Sequence, residues 1–252
     1  MFLFLDHSLT YEKWQAVPAK LGWTHFIILL SISSDTARSF YEKKTIQENW
    51  STRELERNLG SSLFERLALS RNKKEVLKLS KKEQSINHSS EIVKDSYVLD
   101  FLKISQSNKV TEKHLEQKII DNIQMFLLEL GKGFTFVGRQ HKISLRHKHF
   151  YIDLVFYHRI LKCFVLIDLK TKSVRHNDIG QMNLYLNYFK SEENVESDNE
   201  PIGIILSAEK DEVPVEYATG GISNKIFVSK YQLYLPNKKQ LQQQVKSVIK
   251  KE

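Results

Sequence analysis

Residues 150–170, FYIDLVFYHRILKCFVLIDLK, decide the fold because they hold two apolar runs of strand length separated by a short turn. Both runs are rich in aromatic and β-branched residues, which is typical of strands buried on both faces. An acid interrupts each run, Asp153 in the first and Asp168 in the second, and Lys170 follows Asp168 by two positions. A buried charge is costly unless it is paired or binds a metal. The Asp168–Lys170 pair is therefore either a structural ion pair at a strand end or part of a site.

The segments on both sides of this stretch predict an α/β domain with a mixed β-sheet flanked by helices. Residues 134–145 predict a strand before it, and a helix from Thr111 to Gly131 precedes that strand. Further elements are predicted after it: helices over residues 178–190, 212–218 and 240–250, and strands over 202–207 and 226–229. The order helix, three strands, helix, strand is typical of this fold class.

The first third of the chain predicts helices. Residues 23–30 and 37–50 form two of them, and Ser51 with Glu54 makes a capping box for a third. One face of that third helix is marked by leucines at positions 55, 59, 63 and 67. This spacing predicts one continuous helix with Gly60 inside it.

A change of composition predicts the domain boundary. Residues 70–90 are rich in lysine and serine and show little periodicity, as expected of a linker. The chain is therefore divided into a helical N-terminal domain with a basic linker, residues 1–90, and an α/β domain, residues 91–252.

Composition restricts the classes of function. The formal net charge of +8 is compatible with a polyanionic partner such as nucleic acid, and equally with a merely basic surface. The single cysteine, Cys163, excludes a disulfide framework and a thiolate metal cluster. No apolar run reaches the roughly 18 residues of a membrane span, and Met1–Leu5 is too short and lacks the basic start of a signal peptide. We therefore expect a cytoplasmic protein without membrane contact.

Four charged residues occupy positions where the local pattern predicts apolar ones. Glu116 lies on the apolar stripe of its helix, and Asp153, Asp168 and Lys170 interrupt buried strands. Taken singly, Glu116 is explained by a pair with Lys113 or Lys118, and Asp168 by a pair with Lys170. The ordered set, drawn from three successive elements, favours a divalent cation such as Mg²⁺, which needs only two or three carboxylates. Such a cation polarises a phosphodiester, and a lysine helps to hold or activate the attacking water.

The order Glu116, Asp153, Asp168-x-Lys170 resembles the core of the PD-(D/E)xK nucleases. The sequence from Gln181 to Tyr185 is similar to an extra motif of the RecB and lambda-exonuclease branch of that superfamily. Longer phrases resemble the YhcG-type nucleases, a family of bacterial cytosolic proteins: FTFVGRQHKISL, FYIDLVFYHR, QMNLYLNY and IGIILSAEKDE match their C-terminal half, and ARSFYEKKTIQENWSTRELERNLGSSLFERLALS matches their helical N-terminal domain. The resemblance implies a restriction-endonuclease-like fold. It also implies that the chain begins partway into the helical domain.

The resemblance assigns roles to residues of the predicted metal site. Asp153 and Asp168 become direct ligands of Mg²⁺ or Mn²⁺, with the carbonyl of Leu169 as a third. Glu116 acts through a metal-bound water, and Lys170 becomes the catalytic lysine. Asp168 stands where the family more often has glutamate, and its side chain is one methylene shorter, which would change the distance to the metal.

Four further residues receive roles from the same resemblance. Gln181 would orient the nucleophile or the lysine, and Tyr185 would contact the nucleic-acid backbone. Arg139 and Gln140 are candidate substrate contacts, although a solvated strand end explains them equally well.

These inferences predict a metal-dependent nuclease that hydrolyses phosphodiester bonds, with DNA as substrate and DNA repair or recombination as natural settings. A homodimer is expected because cutting a duplex usually needs two sites. One alternative is a nucleic-acid-binding or assembly protein that retains the nuclease fold without turnover. Another is an oligomeric structural protein that uses the leucine-striped helix as its interface.

Overall fold

The computed structural model describes residues 21–69, 93–94, 96–104, 110–145, 147–209, 224–234 and 241. The described residues divide into two compact units, a helical N-terminal unit and a sheet unit. The predicted linker and the predicted helix over residues 212–218 lie outside the described residues, as does all of the predicted helix over 240–250 except residue 241. The predicted domain boundary at residue 90 stays a prediction.

The N-terminal unit contains four described helices: α1 Trp23–Leu30, α2 Asp35–Glu48, α3 Thr52–Gly60 and α4 Leu63–Leu69. The predicted capping box begins α3, where the Glu54 carboxylate accepts a hydrogen bond of 2.6 Å from the Ser51 N–H. The helices pack around a core that includes Leu29, Phe40 and Leu55.

The prediction of one continuous helix through the leucine repeat is wrong. Helix α3 ends at Gly60, and Ser62 adopts a left-handed φ of 52° before α4 begins at Leu63. Glycine and serine are weak helix formers, so two turn residues are accommodated here at little cost. The turn lets Phe64 pack against Phe40, with their ring centroids 5.4 Å apart.

The sheet unit confirms the predicted mixed sheet with flanking helices. Its six strands are β1 Ser96–Val98, β2 Phe134–Leu145, β3 Lys148–His158, β4 Cys163–Lys170, β5 Ile202–Ser207 and β6 Lys225–Gln232. They are arranged in the order β1-β6-β5-β4-β3-β2. Strands β2, β3 and β4 are antiparallel to their neighbours in this series, whereas β4-β5, β5-β6 and β6-β1 are parallel. Strand β1 was not predicted, because three residues are too few for a recognisable alternation.

Helices cover both faces of this sheet: α5 Glu112–Asp121 and α6 Ile123–Leu130 pack on one, and α7 His176–Tyr188 on the other, continuing into a π-helical turn over Phe189–Glu193. The predicted single helix from Thr111 to Gly131 is therefore two helices. The break lies at Asn122, whose φ and ψ of −123° and 32° are not helical and whose side-chain amide donates to the Lys118 carbonyl at 3.0 Å. Asparagine competes in this way with the helical hydrogen bonds of the backbone.

Two hydrophobic cores lie on the two faces. The α5–α6 core includes Leu115, Phe126 and Ile167, and the α7 core includes Met182 and Leu166. Because Leu166 and Ile167 are neighbours on β4, that strand is buried on both faces, as its apolar sequence predicts. Among the described residues, no helix has the length and apolar character needed to cross a lipid bilayer.

The β2–β3 hairpin bends at Gln140. Adjacent residues of a regular strand point to opposite faces, yet Arg139 and Gln140 both donate hydrogen bonds to α5, to Gln117 at 2.8 Å and to Glu116 at 2.6 Å. The left-handed φ of 47° at Gln140 explains how both side chains reach the same helix.

Opposite Gln140, the side chains of β3 change the face of the sheet on which they are buried. Ile152 lies in the α7 core, whereas Leu154, two residues later, lies in the α5–α6 core. Their partners on β2 are His141 and Arg139, which places Asp153 opposite Gln140 in the register. Asp153 therefore lies between a residue buried on the α7 face of the sheet and a residue buried on the α5–α6 face.

Candidate active site

The structure brings the predicted acids of β3, β4 and α5 to one end of the β3–β4 pair. Leu154 and Ile167 form the last pair between β3 and β4, and Asp153 and Asp168 are the residues that follow it on the two strands. The Asp153 Oδ2 accepts a hydrogen bond of 2.8 Å from the Leu169 N–H, which holds the carboxylate against β4. The third acid, Glu116, approaches from α5.

Gln140 joins two of these acids. Its amide Nε2 donates to Glu116 Oε2 at 2.6 Å and to Asp153 Oδ1 at 3.1 Å. Its left-handed backbone costs on the order of 1–3 kcal/mol, which persists only where the surroundings impose it. The prediction treats Gln140 as a substrate contact, whereas the structure places its amide inside the carboxylate cluster.

Lys170 lies over Asp168 from the same face of β4. Its Nζ is 2.7 Å from Asp168 Oδ2 and 3.8 Å from Asp178 Oδ1. Asp178 stands in the first turn of α7 and also accepts a hydrogen bond of 2.8 Å from the Arg175 N–H. Sequence reasoning missed Asp178. An acid in the first turn of the helix after the third strand was the available signal, but helix capping explains that signal equally well.

Gln181 and Tyr185 connect α7 to the hairpin. The Gln181 amide donates to the Tyr185 hydroxyl, which donates in turn to the carbonyl of Tyr151 at 3.0 Å. The Tyr185 side chain has 0% exposure, and burial raises its pKa. Its position therefore does not support the predicted contact with the nucleic-acid backbone. Through its hydrogen bond to the Tyr151 carbonyl, the Tyr185 side chain instead supports the backbone of β3.

Arg139 is exposed beside the cluster and contacts Gln117 of α5 at 2.8 Å. This position is open to a substrate. The predicted contact between Arg139 and nucleic acid stays a prediction.

Burial shapes the electrostatics of the site. It raises the pKa of Asp168 to about 7, although the Lys170 ammonium opposes the shift and Asp153 adds to it. Burial likewise raises the pKa of Asp153 and Glu116. Burial lowers the pKa of Lys170, but the nearby carboxylates, Asp168 first, outweigh this and leave its pKa raised. All three acids therefore keep their protons to a higher pH than a solvated carboxylate does.

This donor set fits a hard divalent cation. Asp153 and Asp168 offer carboxylate oxygens from two neighbouring strands, just beyond their last pair, and Mg²⁺ usually completes its coordination with waters. Within the part of the chain that the structure describes, no three His, Cys, Asp or Glu side chains form a group that could hold a metal ion. The Gln140 amide lies between Glu116 and Asp153, and Lys170 engages Asp168. The predicted ligand set of Asp153, Asp168, Glu116 and Leu169 therefore stays a prediction.

Two family models match the chain. Residues 90–246 match the YhcG PDDEXK nuclease domain, and residues 1–66 match the DUF1016 N-terminal domain. The chain belongs to the YhcG PDDEXK nuclease family. The resemblance predicted from the sequence is thereby confirmed.

One curated relative and two solved structures give further points of comparison. The chain is 37% identical over 231 residues to the Escherichia coli (strain K12) protein named "Putative nuclease YhcG", covering 90% of this chain and 61% of that protein. A repair endonuclease from Pyrococcus abyssi has a TM-score of 0.34 at 16% identity, covering 52% of this chain and 50% of its own. The EndoMS-dsDNA2 complex has a TM-score of 0.36 at 12% identity, covering 54% and 51%. Structural similarity at this level bears on neither substrate nor mechanism.

Proposed function

We propose that this protein is a metal-dependent nuclease that hydrolyses phosphodiester bonds of DNA by attack of water. The observation that carries the proposal is that Asp153 and Asp168 follow the last pair of β3 and β4, with the Asp153 carboxylate bonded to the Leu169 N–H and Lys170 Nζ at 2.7 Å from the Asp168 carboxylate. Membership of a nuclease family supports it. The metal and the substrate belong to the proposal.

In this proposal Asp153 and Asp168 hold the cation, Mg²⁺ or Mn²⁺, and Glu116 acts through a bound water. The cation supplies Lewis-acid chemistry, which polarises the phosphodiester and makes water a better nucleophile. Burial raises the pKa of all three acids, so protons compete with a cation for these oxygens. The Leu169 N–H keeps the Asp153 carboxylate aimed at β4.

Lys170 would stabilise charge and would not act as a base. Its raised pKa keeps the ammonium protonated at neutral pH. Asp168 and Asp178 hold the Nζ from two sides, at 2.7 and 3.8 Å. A fixed positive charge of this kind favours the extra negative charge that develops on a phosphate as water attacks.

Gln140 and Gln181 would position the groups that react. The Gln140 amide donates to both Glu116 and Asp153, which favours their ionised forms and limits their mutual repulsion. Gln181 reaches the site through Tyr185 and the backbone of β3.

DNA is proposed as the substrate because the chain is basic, with a net charge of +8, and Arg139 is exposed beside the acids. Affinity should fall steeply with salt if backbone phosphates supply most of the binding. A cytoplasmic location, a homodimer and a role in DNA repair or recombination complete the proposal.

The test incubates purified protein with linear, nicked, branched and single-stranded DNA and a matched RNA, in Mg²⁺, Mn²⁺ or EDTA. Asp153→Ala and Lys170→Ala should each lower metal-dependent cleavage by about 100-fold or more. Asp198→Asn is the matched control, because Asp198 contacts Tyr157 at 2.7 Å in the loop before β5, away from the acids. Cleavage that survives both site variants, or that needs no metal, contradicts the proposal.

A nucleic-acid-binding protein without turnover is the alternative. The observation that favours it is the 2.7 Å contact between Lys170 and Asp168, which would serve a structural ion pair equally well. Titration calorimetry with Mn²⁺ separates the two functions. A nuclease should bind Mn²⁺ and lose that binding in Asp153→Ala, whereas nucleic-acid binding without Mn²⁺ binding favours the alternative.

A further inference from the structure

One exposed face of the β2–β3 hairpin lies next to the acids of the candidate site. It is formed by Lys142, Ser144, His149 and Tyr151, and we name these four residues the hairpin face. All four are exposed. Lys142 pairs with Tyr151 and Ser144 with His149, so the members of each pair lie side by side on one surface. Ser144 Oγ and His149 Nδ1 are 3.0 Å apart.

The hairpin face lies outside the sheet core. The residues that alternate with it, Ile143 and Ile152, are buried in the α7 core, so the hairpin face points to the opposite side. The pairing between β3 and β4 ends at Leu154, which leaves the hairpin beyond Asp153 without β4 as a neighbour. The pair that precedes Lys142 and Tyr151 on this side is Gln140 with Asp153.

The hairpin is strongly cationic. Residues 134–152 contain Arg139, Lys142, Arg146 and Lys148, three histidines and no acid. Four positive charges and no acid within residues 134–152 favour an anionic partner. Along the hairpin the first acid is Asp153, so the charge changes sign where the hairpin meets the candidate site.

Tyr151 adds an aromatic surface to this charge. Its side chain is 49% exposed, and its backbone is held from behind by the Tyr185 hydroxyl. An exposed ring beside a lysine is the combination that binds single-stranded nucleic acid, with a base stacked on the ring and phosphates beside the cation. A base inside a duplex already has neighbours on both faces, so stacking on Tyr151 requires an unpaired nucleotide.

We propose that the hairpin face binds the DNA strand beside the scissile phosphate, with a phosphate on Lys142 and an unpaired base stacked on Tyr151. The substrate class is therefore DNA with unpaired nucleotides on one side of the cleaved bond. From Asp153 to His149 the hairpin extends about 13 Å, at about 3.3 Å for each residue. This inference rests on the proposed nuclease function.

The experiment measures binding in EDTA, where metal-dependent cleavage does not occur, by fluorescence anisotropy with single-stranded DNA, blunt duplex and a duplex with a single-stranded overhang. Tyr151→Ala should weaken binding of single-stranded and overhang DNA by roughly 5- to 100-fold and of blunt duplex by less than about twofold. Tyr151→Phe keeps the ring and should bind like the wild type. Because Tyr151 is half exposed, the alanine variant should fold, which circular dichroism verifies.

Lys142→Ala tests the phosphate contact. It should weaken binding to all three DNAs and lower the slope of log affinity against log salt by about 0.7 to 0.9. Lys225→Ala is the matched control, because Lys225 is exposed and lies far from the candidate site. In the sheet Lys225 pairs with Ile202, which pairs with Val165, five residues before Lys170 on β4. It should change affinity by less than about twofold.

Equal losses in Lys142→Ala and Lys225→Ala, or no loss of single-strand affinity in Tyr151→Ala, overturn the proposal. The proposal is also overturned if Tyr151→Ala or Lys142→Ala changes the sedimentation coefficient of the DNA-free protein but leaves its DNA affinity unchanged. That result would make the hairpin face a contact between copies of the chain. The outcome is separable from the proposed nuclease function. Absence of cleavage in Mg²⁺ and Mn²⁺ contradicts the nuclease proposal alone, because the hairpin variants are compared by binding.

Discussion

The two ends of the β3–β4 pair both bury polar side chains, and they do so in opposite ways. At one end His158, opposite Cys163, has 0% exposure, and both ring nitrogens are engaged: Nδ1 accepts from the Leu161 N–H and Nε2 contacts the Lys132 carbonyl, each at 3.1 Å. At the other end Asp153 and Asp168 follow the last strand pair, and the charge of Asp153 helps to raise the pKa of Asp168. The imidazole is neutral and satisfied by backbone, whereas the acids repel each other.

The pKa values describe the same contrast. Burial lowers the pKa of His158 and so keeps the ring neutral, which costs little when both nitrogens have partners. Burial raises the pKa of Asp168 to about 7, so near neutral pH the protein spends folding free energy to keep a charge there. Polar residues that only support the fold can be neutral. A site that binds a cation needs the charge, and this difference distinguishes the two ends.

The largest expected effect is a separation of activity from stability at Asp168. Asp168→Asn removes a buried charge at nearly constant size, so metal-dependent cleavage should fall by about 100- to 1,000-fold. The same change should raise the unfolding free energy at pH 8 because the desolvated carboxylate is gone. Cleavage assays and urea unfolding on one preparation check both parts. A variant that loses stability and activity together would indicate that the ion pair with Lys170 is structural.

The other end should respond in the reverse sense. His158→Ala leaves a cavity and the unpaired N–H of Leu161, so we expect a loss of about 2–4 kcal/mol in unfolding free energy. Mn²⁺ affinity of the folded fraction should be unchanged. Urea unfolding and titration calorimetry provide the two measurements, and a large change in Mn²⁺ affinity would show that the two ends are coupled.

The pH dependence of stability should differ in sign between the two ends. The folded pKa of Asp168 is raised from 3.8, so the unfolded state releases its proton first, and the unfolding free energy falls as the pH rises from about 4 to about 7. The folded pKa of His158 is lowered from 6.5, so its contribution is present above that pH and is lost as the pH falls below it.

The difference in unfolding free energy between the wild type and each variant isolates the pH-dependent contributions of Asp168 and His158. Asp168→Asn should gain stability over the wild type as the pH rises through this range, in metal-free buffer. His158→Gln should lose its part of the dependence below pH 6.5. Urea unfolding from pH 4.5 to 8 measures both, and parallel curves for wild type and Asp168→Asn would contradict the expectation.

The smallest effect concerns the bend between the two ends. Gln140→Ala and Gln140→Gly both remove the amide that joins Glu116 to Asp153, but only glycine relieves the left-handed backbone. The glycine variant should be more stable than the alanine variant by about 1 kcal/mol. Both should lose cleavage activity to a similar degree. Equal stabilities would mean that the bend relaxes when the amide is lost.

Much of the fold was predictable because burial leaves a periodic record in a strand or helix. The predicted bounds of β2 and β5 are those observed, β6 differs only at its ends, and the two apolar runs within residues 150–170 are β3 and β4. Apolar periodicity failed where it continues across a break. The leucines around Ser62 and the apolar stripe around Asn122 stay in phase although the helix stops.

The candidate site was predictable to the extent that its residues violate the pattern around them. Glu116, Asp153 and Asp168 stood out as acids in apolar positions, and the structure brings them to one end of the sheet unit. Asp178 did not stand out, because an acid in the first turn of a helix is common.

The sequence by itself determined the family, the mixed sheet and the set of charges that the core must tolerate, because each is recorded in residue type and spacing along the chain. Only the tertiary structure decided that Gln140 joins two acids, that Tyr185 is buried behind β3 and that Tyr151 is exposed beside Lys142. These facts depend on one left-handed φ at Gln140 and on contacts between residues far apart in sequence. Neither is encoded in a local repeat, since a bend changes which face a side chain occupies without changing the residues that form the strand.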